Sequence, residues 1–187
     1  SLTEATRSIT ANGPLITKIW FPRWVLPTSS VLARFLTLLV EMAVLLVLIA
    51  VIEGHYAFSW IPVVLVLMAL QLVFTIGLAL MVSAANVYFR DVQHFLGVAL
   101  APWMFLTPIL YPLEMVPADR EFVGLGYRTL YQLNPMVSWS EAYRNALYDL
   151  RFPSAERWLA IGAATVVVLA LGAALFRRLE PRMAEEV

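Results

Sequence analysis

The chain has 187 residues, 61% apolar and only 14% charged, with 13 basic residues balancing 13 acidic ones. Soluble domains are roughly half apolar and a quarter charged, so composition excludes an ordinary soluble fold. Zero net charge offers no basic surface for nucleic acid, and the absence of cysteine rules out disulfides and thiolate metal sites.

The charges are bunched. Phe58 to Phe89 (32 residues), Val92 to Leu113 (22) and Trp158 to Phe176 (19) carry no Asp, Glu, Lys or Arg. About 20 apolar helical residues cross a hydrocarbon core of about 30 Å. The expectation is an all-α integral membrane protein with about four transmembrane helices, a short amphipathic helix before the first, and two re-entrant or interfacial helices. The 187 residues read as a single transmembrane domain, and the lack of an initiator Met reads as part of a longer protein.

In chain order, Ser1 to Pro14 is a mixed polar segment. Asn12-Gly13-Pro14 has the form of a helix start, with Asn as cap and Pro in the first turn. Leu15, Ile16, Ile19 and Trp20 then share one face, and Pro22 ends the helix after two turns, so residues 12–27 form a short amphipathic element carrying Lys18 and Arg23. Thr28 to Ser30 are candidate caps for a first span over 31–52. That span carries Arg34 near its start and Glu41 inside, about 10 Å apart along the axis and too far to pair directly.

The second span, 58–87, has Gln71, Thr75, Ala79 and Asn86 in one narrow sector, a small-polar stripe that faces other helices or water rather than lipid. The third, 95–111, contains Pro102 and Pro108 and is expected to be kinked, with Trp103, Thr107 and Tyr111 stacked at i, i+4 and i+8. Trp103, Thr107 and Tyr111 form either an aromatic-hydroxyl track or an aromatic belt at the interface. Residues 112–157 are too charged to cross and too apolar for a solvent loop. Within them, Asn134-Pro135 caps and starts an amphipathic helix whose stripe is Met136, Trp139, Tyr143, Leu147 and Leu150, with Glu141, Arg144 and Asn145 opposite. The preceding piece, 122–133, is a weaker half-helix interrupted by Gly124 and Gly126. The last span is 158–176.

Four crossings put both ends on one side. Seven basic residues lie there (Arg7, Lys18, Arg23, Arg90, Arg177, Arg178, Arg182) against five opposite, which places both ends in the cytoplasm by the positive-inside tendency.

Chemistry is sparse. No phosphate-cradling loop with Lys-Ser/Thr is present, the two histidines, His55 and His94, lie beyond opposite ends of one span, and Glu41 stands alone as an intramembrane carboxylate. No catalytic residue, metal site or resident cofactor is expected.

The remaining signal is a set of ordered motifs. The segment from Asn12 through Leu15, Ile16, Lys18, Phe21, Pro22, Arg23 and Leu26 to Pro27 resembles the N-x-x-L-I-x-K-x-x-F-P-R-x-x-L-P segment of ABC-2 type permeases that export polysaccharides. Asn86-Val87-x-Phe89-Arg90-Asp91 is similar to the family's N-V-x-[YF]-R-D turn. Pro108-Ile109-x-Tyr111-Pro112 resembles its S-P-I-x-Y-P, with Thr107 in place of Ser, and Asn134-Pro135 matches the following N-P. The family pattern adds an amphipathic N-terminal helix and two earlier spans.

The resemblance implies a homodimeric permease paired with two copies of a nucleotide-binding ATPase, which would bind the ATP and Mg. It would move a lipid-linked glycan, commonly on polyprenyl pyrophosphate, across the bacterial cytoplasmic membrane. Leu15, Ile16, Lys18, Ile19, Trp20, Phe21, Pro22 and Arg23 would then form the coupling helix to the ATPase, the alternative being a helix lying on membrane lipid. Gln71, Thr75, Asn86, Trp103, Thr107 and Tyr111 become channel candidates, and Tyr88, Arg90 and Asp91 an inner elbow. Residues 112–157 become an extracytoplasmic gate built on Asn134, Pro135, Trp139 and Tyr143. An exporter of drugs or simple lipids is the nearest alternative. An alternative of another class is a membrane-embedded glycolipid-processing enzyme using Arg90, Asp91 and His94.

Overall fold

The computed structural model describes residues 1–13, 21–53, 57–109, 111, 115, 121–122, 125–126 and 131–183. Its helices are α1 (Leu2–Arg7), α2 (Val25–Glu53), α3 (Ile61–Tyr88), α4 (Val92–Phe105), α5 (Pro135–Leu147) and α6 (Ala155–Leu179), with short 3-10 turns between and after them. The expected helix over 14–21 lies almost wholly outside the described residues; only Phe21 falls within them. Three helices, α2, α3 and α6, are long and apolar enough to cross a membrane, and α4 is a shorter apolar helix. The protein is an all-α, multi-pass membrane protein.

α2 starts at Val25, ahead of the expected Val31, because proline is tolerated in a first turn and Pro27 sits there. The hydroxyls expected to cap it instead turn back onto the helix. Thr28 Oγ1 donates to the Trp24 carbonyl (2.8 Å) and Ser29 and Ser30 to the Leu26 carbonyl (2.9 and 3.1 Å). α3 takes Pro62 in its first turn and runs for 28 residues, about 42 Å.

α3 and α6 form the closest helix pair. A methyl group on Gly172 would lie 2.2 Å from the Gly77 carbonyl oxygen, and one on Gly77 would lie 2.8 Å from the backbone of Leu169. Only hydrogen at both positions allows this approach, which brings the two backbones into van der Waals contact. Along the pair, one apolar cluster gathers Leu67, Phe74 and Ile161 with Trp139 and Ala142 of α5. A second, toward the other end, gathers Leu80, Ala84, Val87, Phe176 and Met183 with Ile9. α1 packs its Ala5 against Val31 and Ala79, between α2 and α3.

Two expectations need correction. The third span does not reach Tyr111 as helix. α4 ends at Phe105, after 14 residues or about 21 Å, because the residue before a proline is pushed out of the α region and Pro108 follows. Pro102 stays within the helix. In place of the expected half-helix over 122–133, Glu121–Phe122 pairs antiparallel with Leu125–Gly126; Gly124 lies outside the described residues. α5 begins as its Asn-Pro sequence implies, with the Asn134 side chain accepting from the Met136 N–H at 3.1 Å and Pro135 in the first turn. The return from α5 to α6 is tight. Arg151 N–H donates to the Asn145 carbonyl (2.8 Å), and Leu150 is held at φ 49°, a left-handed conformation unusual for leucine.

Candidate functional site

A cavity of about 1120 Å³ opens between α2, α3, α4 and α5 at the end of the bundle where α5 lies. Its wall includes Gln71, Thr75, Trp103, Thr107, Trp139 and Tyr143, which the sequence put forward as channel or gate residues, and also Ser1 and Leu2. The polar stripe of α3 divides along its length. Its upper part, Gln71 and Thr75, faces the cavity, while Ala79 packs against α1 and Asn86 is buried.

Most of these polar wall groups have a partner, Trp139 excepted. Tyr143 donates its hydroxyl to Gln71 Oε1 at 2.8 Å, and burial pushes the phenol pKa well above its ordinary value, so it stays a neutral donor. Thr75 donates to the Gln71 carbonyl at 2.7 Å. Trp103 Nε1 donates to Asn134 Oδ1 (3.0 Å), and Asn134 Nδ2 donates to Thr107 Oγ1 (3.0 Å). Trp139 is buried, tilted against Phe74 at 4.9 Å between ring centres, and its indole N–H has no acceptor among the described residues. Tyr111 lies past the end of α4, donating its hydroxyl to the Phe105 carbonyl (3.0 Å) and sharing a hydrogen bond with the Tyr131 hydroxyl (3.3 Å).

The rim carries charge that sequence reasoning assigned to the polar side of α5. Glu141 is buried, with Arg144 Nη1 on one carboxylate oxygen and Arg157 Nη2 of α6 on the other, both at 3.3 Å. With its amide turned to suit its neighbours, Asn145 donates to Asp149 (3.1 Å) and accepts from Arg157. The signal was present in the sequence: Glu141 and Arg144 are three apart on a helix, and Arg157 opens the next one.

At the opposite end, Asn86 and Tyr88 make the elbow. Asn86 Nδ2 donates to the Thr6 carbonyl and its Oδ1 accepts from the Gln93 N–H, both at 3.1 Å. Tyr88 donates to the Leu179 carbonyl at 2.8 Å, while Arg90 and Asp91 are exposed. Phe21 packs on the same apolar cluster as Ile9, Leu80 and Phe176, and Arg23 donates to the Glu180 carbonyl just beyond α6. Leu15, Ile16, Lys18, Ile19 and Trp20 lie outside the described residues, and Pro22 follows Phe21 at the foot of α2. Glu41 lines a smaller cavity of about 280 Å³ with Arg34, Gln71 and Thr75, and Arg34 pairs with Glu4 at 3.4 Å rather than with Glu41.

Comparison with known proteins decides the family. Residues 15–148 match the model of the ABC-2 type transporter. The chain belongs to that family. It is 35% identical over 173 residues, 92% of this chain and 64% of the relative, to an O-antigen export system permease protein of Myxococcus xanthus. An O-antigen export system permease protein of Klebsiella pneumoniae is 28% identical over 185 residues, 99% of this chain and 68% of that protein. A polysialic acid transport protein of Escherichia coli is 28% identical over 166 residues, covering 86% and 61%. The chain thus spans about two thirds of the length of these relatives. An ABC-2 transporter family argues against the glycolipid-processing enzyme built on Arg90, Asp91 and His94.

Proposed function

We propose that this chain is the membrane-spanning part of the permease subunit of an ATP-driven exporter of lipid-linked polysaccharide. It works as a homodimer with two copies of a separate ATPase that binds ATP and Mg. The glycan, carried on polyprenyl pyrophosphate, leaves across the bacterial cytoplasmic membrane, and both ends of the chain face the cytoplasm. The names of the relatives support the cargo class: O-antigen export and polysialic acid transport.

The observation that carries the mechanical reading is the packing of the described residues on either side of 14–20. Ile9 before the segment and Phe21 after it sit in one apolar cluster with Leu80 and Val87 of α3 and Phe176 of α6, and Arg23 holds the Glu180 carbonyl. A force applied to that segment by a nucleotide-driven partner therefore reaches the inner ends of the two most tightly packed helices. Trp20, with Leu15, Ile16 and Ile19, supplies the apolar contact to the ATPase, and Lys18 is available to a partner acid. Trp103, Thr107, Tyr111 and the α5 residues Trp139 and Tyr143 form the outer part of the path, with residues 112–157 as its gate.

The test is co-purification of the full permease with its ATPase, followed by export of a radiolabelled glycan precursor into vesicles. Trp20→Asp is expected to abolish both ATPase capture and ATP-dependent export. Unchanged assembly and export in that variant overturns the coupling assignment. Export of drugs or simple lipids in place of the precursor overturns the cargo assignment.

A further inference from the structure

α5 is held on three sides. Toward α3, Tyr143 donates to Gln71 Oε1 at 2.8 Å, and the buried Trp139 and Ala142 pack with Leu67 and Phe74. Toward α6, Glu141 takes Arg157 Nη2 at 3.3 Å, and Asn145, with its amide turned, accepts from the same guanidinium. Toward the end of α4, Ser140 donates to the Pro108 carbonyl at 3.1 Å. Asn134, at the head of α5, accepts from Trp103 Nε1 and donates to Thr107 Oγ1, both at 3.0 Å.

The three sets of ties reach three different neighbours, and α3 and α6 are themselves in backbone contact at Gly77 and Gly172. A swing of α5 out of this block would strand Glu141, only 5% exposed, without its second arginine. It would also leave the Gln71 side-chain oxygen without its phenol donor. A buried carboxylate that loses a charged partner is strongly destabilised. Movement of α5 together with α3 and α6 keeps these bonds. They are bonds made, so further spans or a second copy add neighbours to α5 without being needed for its hold.

From this geometry we infer that α5 is the stationary part of the outer gate. Gln71 and Arg157 are positioning residues that keep Trp139 and Tyr143 at fixed places in the cavity wall while the permease opens and closes. Cargo then passes a rigid aromatic face, and widening of the cavity falls to its other walls, moving relative to the block of α3, α5 and α6. The link to a transport cycle rests on the exporter reading above; the hold on α5 in the resting protein does not.

The experiment uses the full permease with its ATPase in lipid nanodiscs, its tryptophans replaced by 5-fluorotryptophan. The Trp139 and Trp20 resonances are assigned from Trp139→Phe and Trp20→Phe. In a second sample, 3-fluorotyrosine at Tyr143, assigned from Tyr143→Phe, reads the same contact independently. With ATP held by a hydrolysis-deficient ATPase and no cargo present, the Trp20 signal is expected to shift while the Trp139 and Tyr143 signals keep their positions. A shift or splitting of the Trp139 or Tyr143 signal overturns the stationary wall. If the Trp20 signal stays still as well, the coupling reading above falls instead, and the variants alone decide on α5. Without nucleotide, Tyr143→Phe/Arg157→Gln is expected to broaden or split the Trp139 signal. Tyr143→Phe/Arg157→Lys, which keeps the charge but not the guanidinium fork, should fall between. An unchanged signal overturns the positioning role. In vesicles, Tyr143→Phe/Arg157→Gln is expected to export several-fold less glycan precursor per ATP hydrolysed, whereas a merely structural role would lower export and hydrolysis together. An unchanged ratio overturns the proposal.

Discussion

Glu141 takes an arginine on each of its oxygens, one from its own helix and one from α6, while both arginines keep part of their side chains in contact with solvent. A charged hydrogen bond of this kind is worth about 1.5–3 kcal/mol, reduced here by the exposure of the two guanidinium groups. Glu141→Gln should therefore cost roughly 2 kcal/mol, read as a lower thermal midpoint in detergent. In a double-mutant cycle with Arg157→Gln the two losses should fall short of additivity by about 1 kcal/mol. Strict additivity would mean the pair is not coupled. At Tyr143, Phe would remove the donor to Gln71 and leave a half-buried amide oxygen unpaired, an expected loss of about 1 kcal/mol by the same measurement. Neither interaction is visible in a periodicity plot. Glu141 and Arg144 read as a solvated face because a helix pattern says which residues share a side, not which partner that side meets.

At the level of helices, the Gly77–Gly172 crossing sets how α3 and α6 meet. Alanine at Gly172 would drive a methyl group into the Gly77 carbonyl, with backbone rather than a pliant side chain as the obstacle. Overpacking of this kind costs about 1–3 kcal/mol, and Gly172→Leu should cost more and reduce the yield of folded protein in size-exclusion profiles. Gly97→Ala, with open space around it, is the control and should be tolerated. α3 and α6 were legible because uncharged runs of that length admit little else, and α2 because only Arg34 and Glu41 interrupt its apolar stretch. The ends were less so. Pro27 and Thr28 looked like a boundary yet lie inside α2, since a first turn accepts proline and serine or threonine hydroxyls can bond back to carbonyls. The run through Tyr111 looked like one span, but Pro108 outweighed its hydrophobicity. The Asn134-Pro135 start was readable because cap and first-turn preferences act on adjacent residues, without help from the rest of the fold.

For the molecule as a whole, the described inner end brings together Phe21, Arg23, Asn86, Tyr88 and Leu179, and the other end brings together α5, the Glu141 cluster and the start of α6. Orientation follows from the proposed cytoplasmic placement of both termini. A membrane-impermeant maleimide should label Ser154→Cys, exposed at the start of α6, in intact cells, and Asp91→Cys only after permeabilisation. The reverse pattern would invert the topology. The division of the α3 stripe also lay beyond a single sequence: whether Gln71 and Asn86 face a cavity or another helix depends on where α1 lies, and nothing local to α3 encodes that. The modest length of α4 has one more consequence. At about 21 Å it falls about 9 Å short of a typical hydrocarbon core. Where lipid borders so short a helix, acyl chains compress to match it, at a fraction of a kcal/mol per Å. A bilayer pinched in that way would shorten the greasy distance that a hydrophilic cargo alongside must travel.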